Sequence, residues 1–279
     1  MYIGTLFNEE GLFQRLAAWK EGSDNDDRTD FDRFLFRATS AYISLLRMHG
    51  LNDLCIEQYG RQKSQLTIKD NRIIFWSPTL VELLNEFSPY LSSLRIMQNM
   101  VLPLTAKSEK LKTSIPTSMA DAMKKLDSYG FSQQTCNLVE QYWRSGGAEI
   151  KNYRDIDQHF YAIVQRSFLQ IKPVETILVY LPDNPEEKSI NRVIFDNKRD
   201  AIPFFKDAFV QIHQLIEDVA LILGFGPTRL KQSIHTEQLG ELQEGAKKTL
   251  ALIMPSTEGS SGIEIGQTAD CRMYVRALK

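Results

Sequence analysis

Apolar residues recur every three or four positions along most of this chain, the spacing that turns one face of an α-helix toward a core. Leu12, Phe13, Leu16 and Trp19 predict a short opening helix. The acid-rich residues 21–28 read as a polar turn, and Thr29 with Asp32 as the capping pair of a second helix. Phe31, Phe34, Leu35, Ala38, Tyr42, Leu45 and Met48 mark that helix, and Gly50 stands where a left-handed residue would close it. A further turn or two covers residues 52–59, and a short hairpin about Lys69-Asp70-Asn71 follows.

Ser77-Pro78 has the chemistry of a helix start, a serine cap followed by proline at the first helical position. Leu80, Leu83, Leu84, Phe87, Leu91, Leu94 and Met97 carry that helix to about Leu102, with a kink at Pro89. Residues 105–116 are polar and lysine-bearing, as a linker would be, and residues 117–129 form a helix closed by Gly130. Ser132 opens a long helix whose buried stripe is Val139, Tyr142, Gly146, Ile150, Tyr153, Ile156 and Phe160, with Gly146-Gly147 as a close-packed or bent middle.

Beyond Phe160 the period changes. Residues 174–181 and 192–195 are rich in β-branched side chains and flank a turn with two prolines, which predicts a β-hairpin over about residues 174–196. Asp200 then opens the clearest amphipathic helix, with Phe204, Phe205, Ala208, Phe209, Ile212, Leu215, Ile216, Val219 and Leu223 on one face, ended by Gly224-Phe225-Gly226-Pro227. The Phe204-to-Phe209 face is either core or a dimer seam. A weaker helical pattern spans residues 242–253, and a short strand is expected at 273–275. The fold expected is mainly α, a helical bundle with an inserted β-hairpin. It divides into a helical part over residues 1–110 and a second bundle over 111–279, or runs as one continuous domain.

Composition narrows the function. The 279 residues are 43% hydrophobic and 24% charged with a net charge of −2, so no overall basic field gathers nucleic acid without selectivity. Three widely spaced cysteines, Cys55, Cys136 and Cys271, fit a reducing compartment better than a disulfide framework. The first residues lack a basic segment followed by an apolar one, and no apolar run would span a bilayer; a cytoplasmic protein without membrane association is expected. The other histidines, His49, His213 and His235, show no metal-ligand spacing, so neither metal nor cofactor is expected. Gly224-Phe225-Gly226 follows a helix and not a strand, which excludes a dinucleotide loop, and Ser145-Gly146-Gly147 is not a nucleophile elbow.

The densest chemistry lies in residues 151–161, Lys-Asn-Tyr-Arg-Asp-Ile-Asp-Gln-His-Phe-Tyr. Arg154, four residues, His159, one residue and Tyr161 resemble the R-x4–6-H-x-Y signature of HEPN domains, with a polar Asp155 directly after the arginine as that family favours. The resemblance implies a helical bundle, a homodimer, and a metal-independent ribonuclease or RNA-binding protein of the toxin or defence type with an antitoxin partner. It implies that His159 is the general base or acid at the ribose 2′-hydroxyl and leaving oxygen, that Arg154 holds the scissile phosphate, and that Asp155 orients His159. Tyr161 matches the tyrosine that accepts AMP from a partner nucleotidyltransferase in some members.

Helix geometry sets a second reading beside the first. Five residues of ideal helix place Arg154 and His159 about 140° apart, on opposite flanks of the apolar stripe. They converge on one phosphate only across a dimer or with local distortion. Asp157 falls on the Arg154 side, and the alternative is structural: Arg154 pairs with Asp157 and His159 with Asp155 to fix a helix end in a non-catalytic interaction protein.

Overall fold

The computed structural model describes residues 12–23, 25–65, 67–69, 72–74, 77–160, 166–170, 176–226, 262–267 and 273–278. They fall into two compact units, one spanning Gly22–Gly224 and the other combining Met1–Glu21 with Phe225–Lys279. The chain is mainly helical. No helix among the described residues is long and apolar enough to cross a membrane.

The smaller unit holds helix α1, Gln14–Glu21, with Leu16 and Trp19 buried. The Trp19 ring stacks on Phe225 at 6.2 Å. The expected strand at 273–275 lies within β6, Met273–Leu278, which pairs antiparallel with β5, Gly262–Gln267. The helical pattern of residues 242–253 lies outside the described residues.

In the larger unit, helix α2 runs unbroken over Asn25–Gln62. Thr29 and Asp32 therefore lie inside it and not at its cap, and the polar turn is shorter than expected. Asp30, one position earlier than Phe31, instead receives a bond from Lys107 at 2.6 Å. Gly50 does not end the helix either, and its φ is not positive. The reason is visible in the burial pattern. Leu45, Met48, Leu51, Cys55 and Tyr59 continue one buried stripe across the glycine, which sits on the exposed outer face. Packing of that stripe outweighs the roughly 1 kcal/mol that a mid-helix glycine costs.

The strands β1, Thr67–Lys69, and β2, Arg72–Ile74, pair antiparallel with Lys69 opposite Arg72, as expected for a hairpin at that place. Ser77 then caps helix α3, Pro78–Asn85, by accepting the Leu80 N–H at 3.1 Å. The anticipated kink is present just before Pro89, where Glu86 keeps helical φ and ψ and its N–H still reaches Glu82 O at 3.3 Å. Glu86 separates α3 from α4, Phe87–Ser108. The Pro89 ring would collide with the carbonyl of Asn85 in a continuous helix, and it has no N–H to offer it.

Helix α4 is the centre of the unit. It extends past the expected end near Leu102, because Leu104, Thr105 and Ala106 are buried and the Thr105 hydroxyl bonds back to Val101 O at 2.8 Å. The supposed linker at 105–116 thus begins as helix, closed at Lys110 with φ 53°. α4 packs on α2, α3, the short α5 (Met119–Ala122), α7 (Ala148–His159) and α8 (Ala201–Ile222), elements from both sides of residue 110. Gly130, with φ +88°, ends the turns after α5. On α8, Phe205 and Phe209 are core: Phe205 meets Phe87 edge-on at 5.1 Å and Tyr90 at 4.9 Å, and the Tyr90 hydroxyl donates to Phe205 O.

The hairpin before α8 differs from expectation. β4, Thr176–Tyr180, forms where predicted, but its partner is β3, Arg166–Gln170, in the register Arg166↔Tyr180 to Gln170↔Thr176. Residues 192–195 do not form a strand; Ile190–Arg192 is a single 3-10 turn. The other edge of β4 is met by the segment leading into α8: Tyr180 bridges Asp200 antiparallel, and the Leu181 N–H donates to Arg199 O at 2.9 Å. What survives there is a clasp, with Asn184 bonding Arg192 O and Ile194 N at 3.0 Å each.

Replacing Gly50 by alanine is expected to stabilise the protein by about 0.5–1 kcal/mol, since nothing lies within 4 Å of the added methyl group and the backbone is helical. Thermal unfolding that shows a lower Tm for Gly50→Ala would place Gly50 outside a continuous helix.

Candidate functional site

The site is built on one interrupted helix. Ser132 caps α6, Gln133–Tyr142, by accepting the Thr135 N–H at 3.2 Å. A π-turn, Trp143–Gly147, joins it to α7. Gly147 is required because a Cβ there would stand 2.7 Å from Cε1 of the Tyr142 ring. That ring cannot move aside. Its hydroxyl accepts the amide of fully buried Gln98, from α4, at 2.8 Å, and the same amide donates to Gly147 O at 2.9 Å. Burial raises the Tyr142 phenol well above its ordinary range, so it stays protonated.

Beyond the turn, Ile150, Tyr153 and Ile156 face the core as the periodicity predicts. Tyr153 donates to Pro182 O at 2.7 Å and meets Phe204 edge-on at 5.4 Å. Phe160 departs from the stripe. The helix ends at His159, and Phe160 is 47% exposed, with Lys188 Nζ 5.4 Å above its ring. Gln158 holds the helix end to α4 through Ser92 Oγ at 2.7 Å.

Arg154 and Asp155 lie on one flank of α7. The Asp155 carboxylate is shared by Lys151 at 3.0 Å and Arg154 at 3.2 Å, while Arg154 Nε is buried without a hydrogen-bond partner. The alternative pairing expected for a purely structural motif is therefore not the one formed: Asp155 serves Lys151 and Arg154, and not His159. Burial works to raise the Asp155 pKa, but the bonds and charges of Lys151 and Arg154 outweigh it and hold the carboxyl below its ordinary value.

These side chains open on a cleft of about 430 Å³, completed by Arg95 and Asn99 of α4 and by Ser118, Asp121 and Lys124 near α5. Arg95 is only 8% exposed and bonds Gln98 Oε1 and Ser118 Oγ, both at 3.1 Å. His159 does not line the cleft. It is exposed, and its described contact is with the neighbouring Phe160 ring at 6.4 Å. Asp157 is half-buried, and Tyr161 lies outside the described residues. Within one chain, then, the structure brings Arg154 and Asp155 together and leaves His159 apart, as the 140° separation requires.

Sequence reasoning missed Arg95, Ser118 and Lys124. One signal was present: Arg95 interrupts the apolar run Leu94 to Met97, and a charge inside a core-facing helix implies a polar task for it. Among the described residues no three His, Cys, Asp or Glu side chains gather in a metal-sized cluster. No family model, curated protein or solved structure matches the chain.

Two measurements probe this construction. Gly147→Ala is expected to lower stability by about 1–3 kcal/mol through overpacking on the pinned Tyr142 ring. Gly146→Ala, whose Cβ meets only the movable end of Gln211, is expected to cost less; equal urea midpoints for the two variants would refute the pinned ring. Asp155 has a lowered pKa in the folded state, so its ion pairs contribute stability above its ordinary value of about 3.9 and lose it as pH falls through the lower folded value. Because the side chains are about 30% exposed, Asp155→Asn should cost under about 1 kcal/mol at pH 7, and this difference should shrink between pH 5 and 3. A difference independent of pH would exclude the ion-paired carboxylate.

Proposed function

We propose that this chain is a HEPN-like helical protein, a bundle with an inserted β-hairpin, that acts on RNA as a metal-independent endoribonuclease. In this reading Arg154 holds a phosphate by charge-assisted hydrogen bonds, and His159 transfers the protons at the 2′-hydroxyl and the leaving oxygen. Asp155 fixes the Arg154 guanidinium. The two motif residues stand on opposite flanks of one helix, so Arg154 of one copy works with His159 of a second copy in a homodimer. A nuclease of this kind suits a toxin or defence role in the cytoplasm with an antitoxin partner.

The observation that carries the reading is the surplus of positive charge around Arg154. One carboxylate is shared between two cations, and buried Arg95 adds a third without a carboxylate bonded to it. An arginine serving only to fix a helix end would be neutralised by its own acid. The competing reading, a non-catalytic interaction protein, draws on the intact Lys151–Asp155–Arg154 triad.

Cleavage of single-stranded RNA in the presence of a chelator separates the two. His159→Ala and Arg154→Ala are each expected to lower the rate by about 100-fold or more. Mixing and refolding the two variants together should restore part of the activity, because mixed dimers rebuild one intact composite site. Wild-type protein that leaves varied RNAs uncut would favour the interaction protein, and loss in both variants without restoration on mixing would remove the composite site.

A further inference from the structure

Arg95 poses a problem that the motif does not solve. It sits in the middle of α4, flanked by Leu94 and Ile96, with 8% of its surface exposed. Its guanidinium bonds two neutral acceptors, Gln98 Oε1 and Ser118 Oγ, and no carboxylate. A buried cation without a paired anion is costly, and folded proteins keep one where an anion comes to it. Burial depresses its pKa; the Asp155 charge works against that, and the Arg154 charge adds a smaller push in the same direction as burial.

The cleft above Arg95 is rich in donors. Asn99 accepts the Met119 N–H through Oδ1 at 3.0 Å, which leaves its NH₂ group for a ligand. Ser118 accepts from Arg95 and its hydroxyl also serves Asp121, while the buried Arg154 Nε has no hydrogen-bond partner. Four cations, Arg95, Lys124, Lys151 and Arg154, face two carboxylates, Asp121 and Asp155, which leaves a net charge of +2. Lys124 is paired with Asp121 at 2.6 Å, so the uncompensated charge lies toward Arg95 and Arg154. A volume of about 430 Å³ belongs to the range of small-ligand sites.

We propose that this cleft, within a single protomer, is a pocket for a terminal phosphate monoester, with Arg95 as its buried anchor and Lys124 and Lys151 at its mouth. The charge decides between phosphate types. A monoester carries close to two negative charges at neutral pH and matches the surplus, whereas an internal phosphodiester carries one. Geometry agrees, since a chain end enters a pocket with a buried floor, while an internal phosphate brings two substituents that must both pass the mouth. The terminal phosphate of an RNA strand is the source that follows from the function proposed above, and the proposal rests on that reading for the strand, though not for the phosphate.

The test uses one short single-stranded RNA carrying either a terminal phosphate or a terminal hydroxyl, with inorganic phosphate as a third probe. Binding is measured by fluorescence anisotropy and calorimetry on the wild type and on the Lys124→Ala/Lys151→Ala double variant, whose changes are at the surface and outside the Gln98 network. The phosphorylated strand is expected to bind at least about tenfold tighter than the hydroxyl strand, with inorganic phosphate competing. The double variant, which keeps Arg95 and Arg154, should lose a measurable part of that preference. Equal affinity of the two strands for wild type, or a preference undiminished in the double variant, overturns the pocket while leaving an RNA function standing. Inorganic phosphate that binds wild type and not the variant, with neither strand bound, supports the pocket and overturns the RNA reading.

Discussion

The side-chain amide of Gln98 fixes the geometry on which the site depends. Fully buried, it donates to the Tyr142 hydroxyl and the Gly147 carbonyl and accepts from Arg95. The bonds to Tyr142 and Gly147 tie the central helix α4 to both sides of the π-turn, and the bond from Arg95 lies within α4 itself. Buried polar networks of this kind are stabilising only when satisfied, because a donor or acceptor left without its partner costs its full desolvation. Gly147 belongs to the same device: only a residue without a side chain lets the Tyr142 ring lie close enough to be bonded.

Beyond the turn, charge is separated on α7. The buried line Ile150, Tyr153 and Ile156 is locked against α4 and α8, which turns Arg154 and Lys151 toward α5 and leaves His159 exposed at the helix end. Arg95 sits beside Gln98 in the same network, so the buried cation and the surface cations are held at one cleft by a single set of bonds. Within one chain the cleft therefore gathers Arg95, Lys124, Lys151 and Arg154 without His159.

The π-turn also shows how a helix that reads as continuous acquires a directed bend. A π-turn inserts one residue into the helical ladder and rotates everything after it, and such insertions cluster at functional places. The glycine pair announced a close-packed middle. The rotation that aims Arg154 at Arg95 depended on Gln98, about fifty residues away along the chain.

The sequence alone determined the elements whose causes are local. Ser77 and Ser132 start helices because their hydroxyls accept a backbone N–H three residues on, whereas the helix expected over residues 117–129 is α-helical only at Met119–Ala122 and reaches Gly130 through 3-10 turns. The faces of α4 and α8 were legible because their apolar period is strong. Local signals misled where packing overruled them: Gly50 stays helical because its neighbours continue a buried stripe, and β4 takes β3 as its partner while its other edge bridges Asp200. Of the site, the motif residues on α7 and their angular separation could be read from spacing. That Arg154 meets Arg95, Ser118 and Lys124 was decided by tertiary structure, since a cleft between distant segments has no period and no spacing to reveal it.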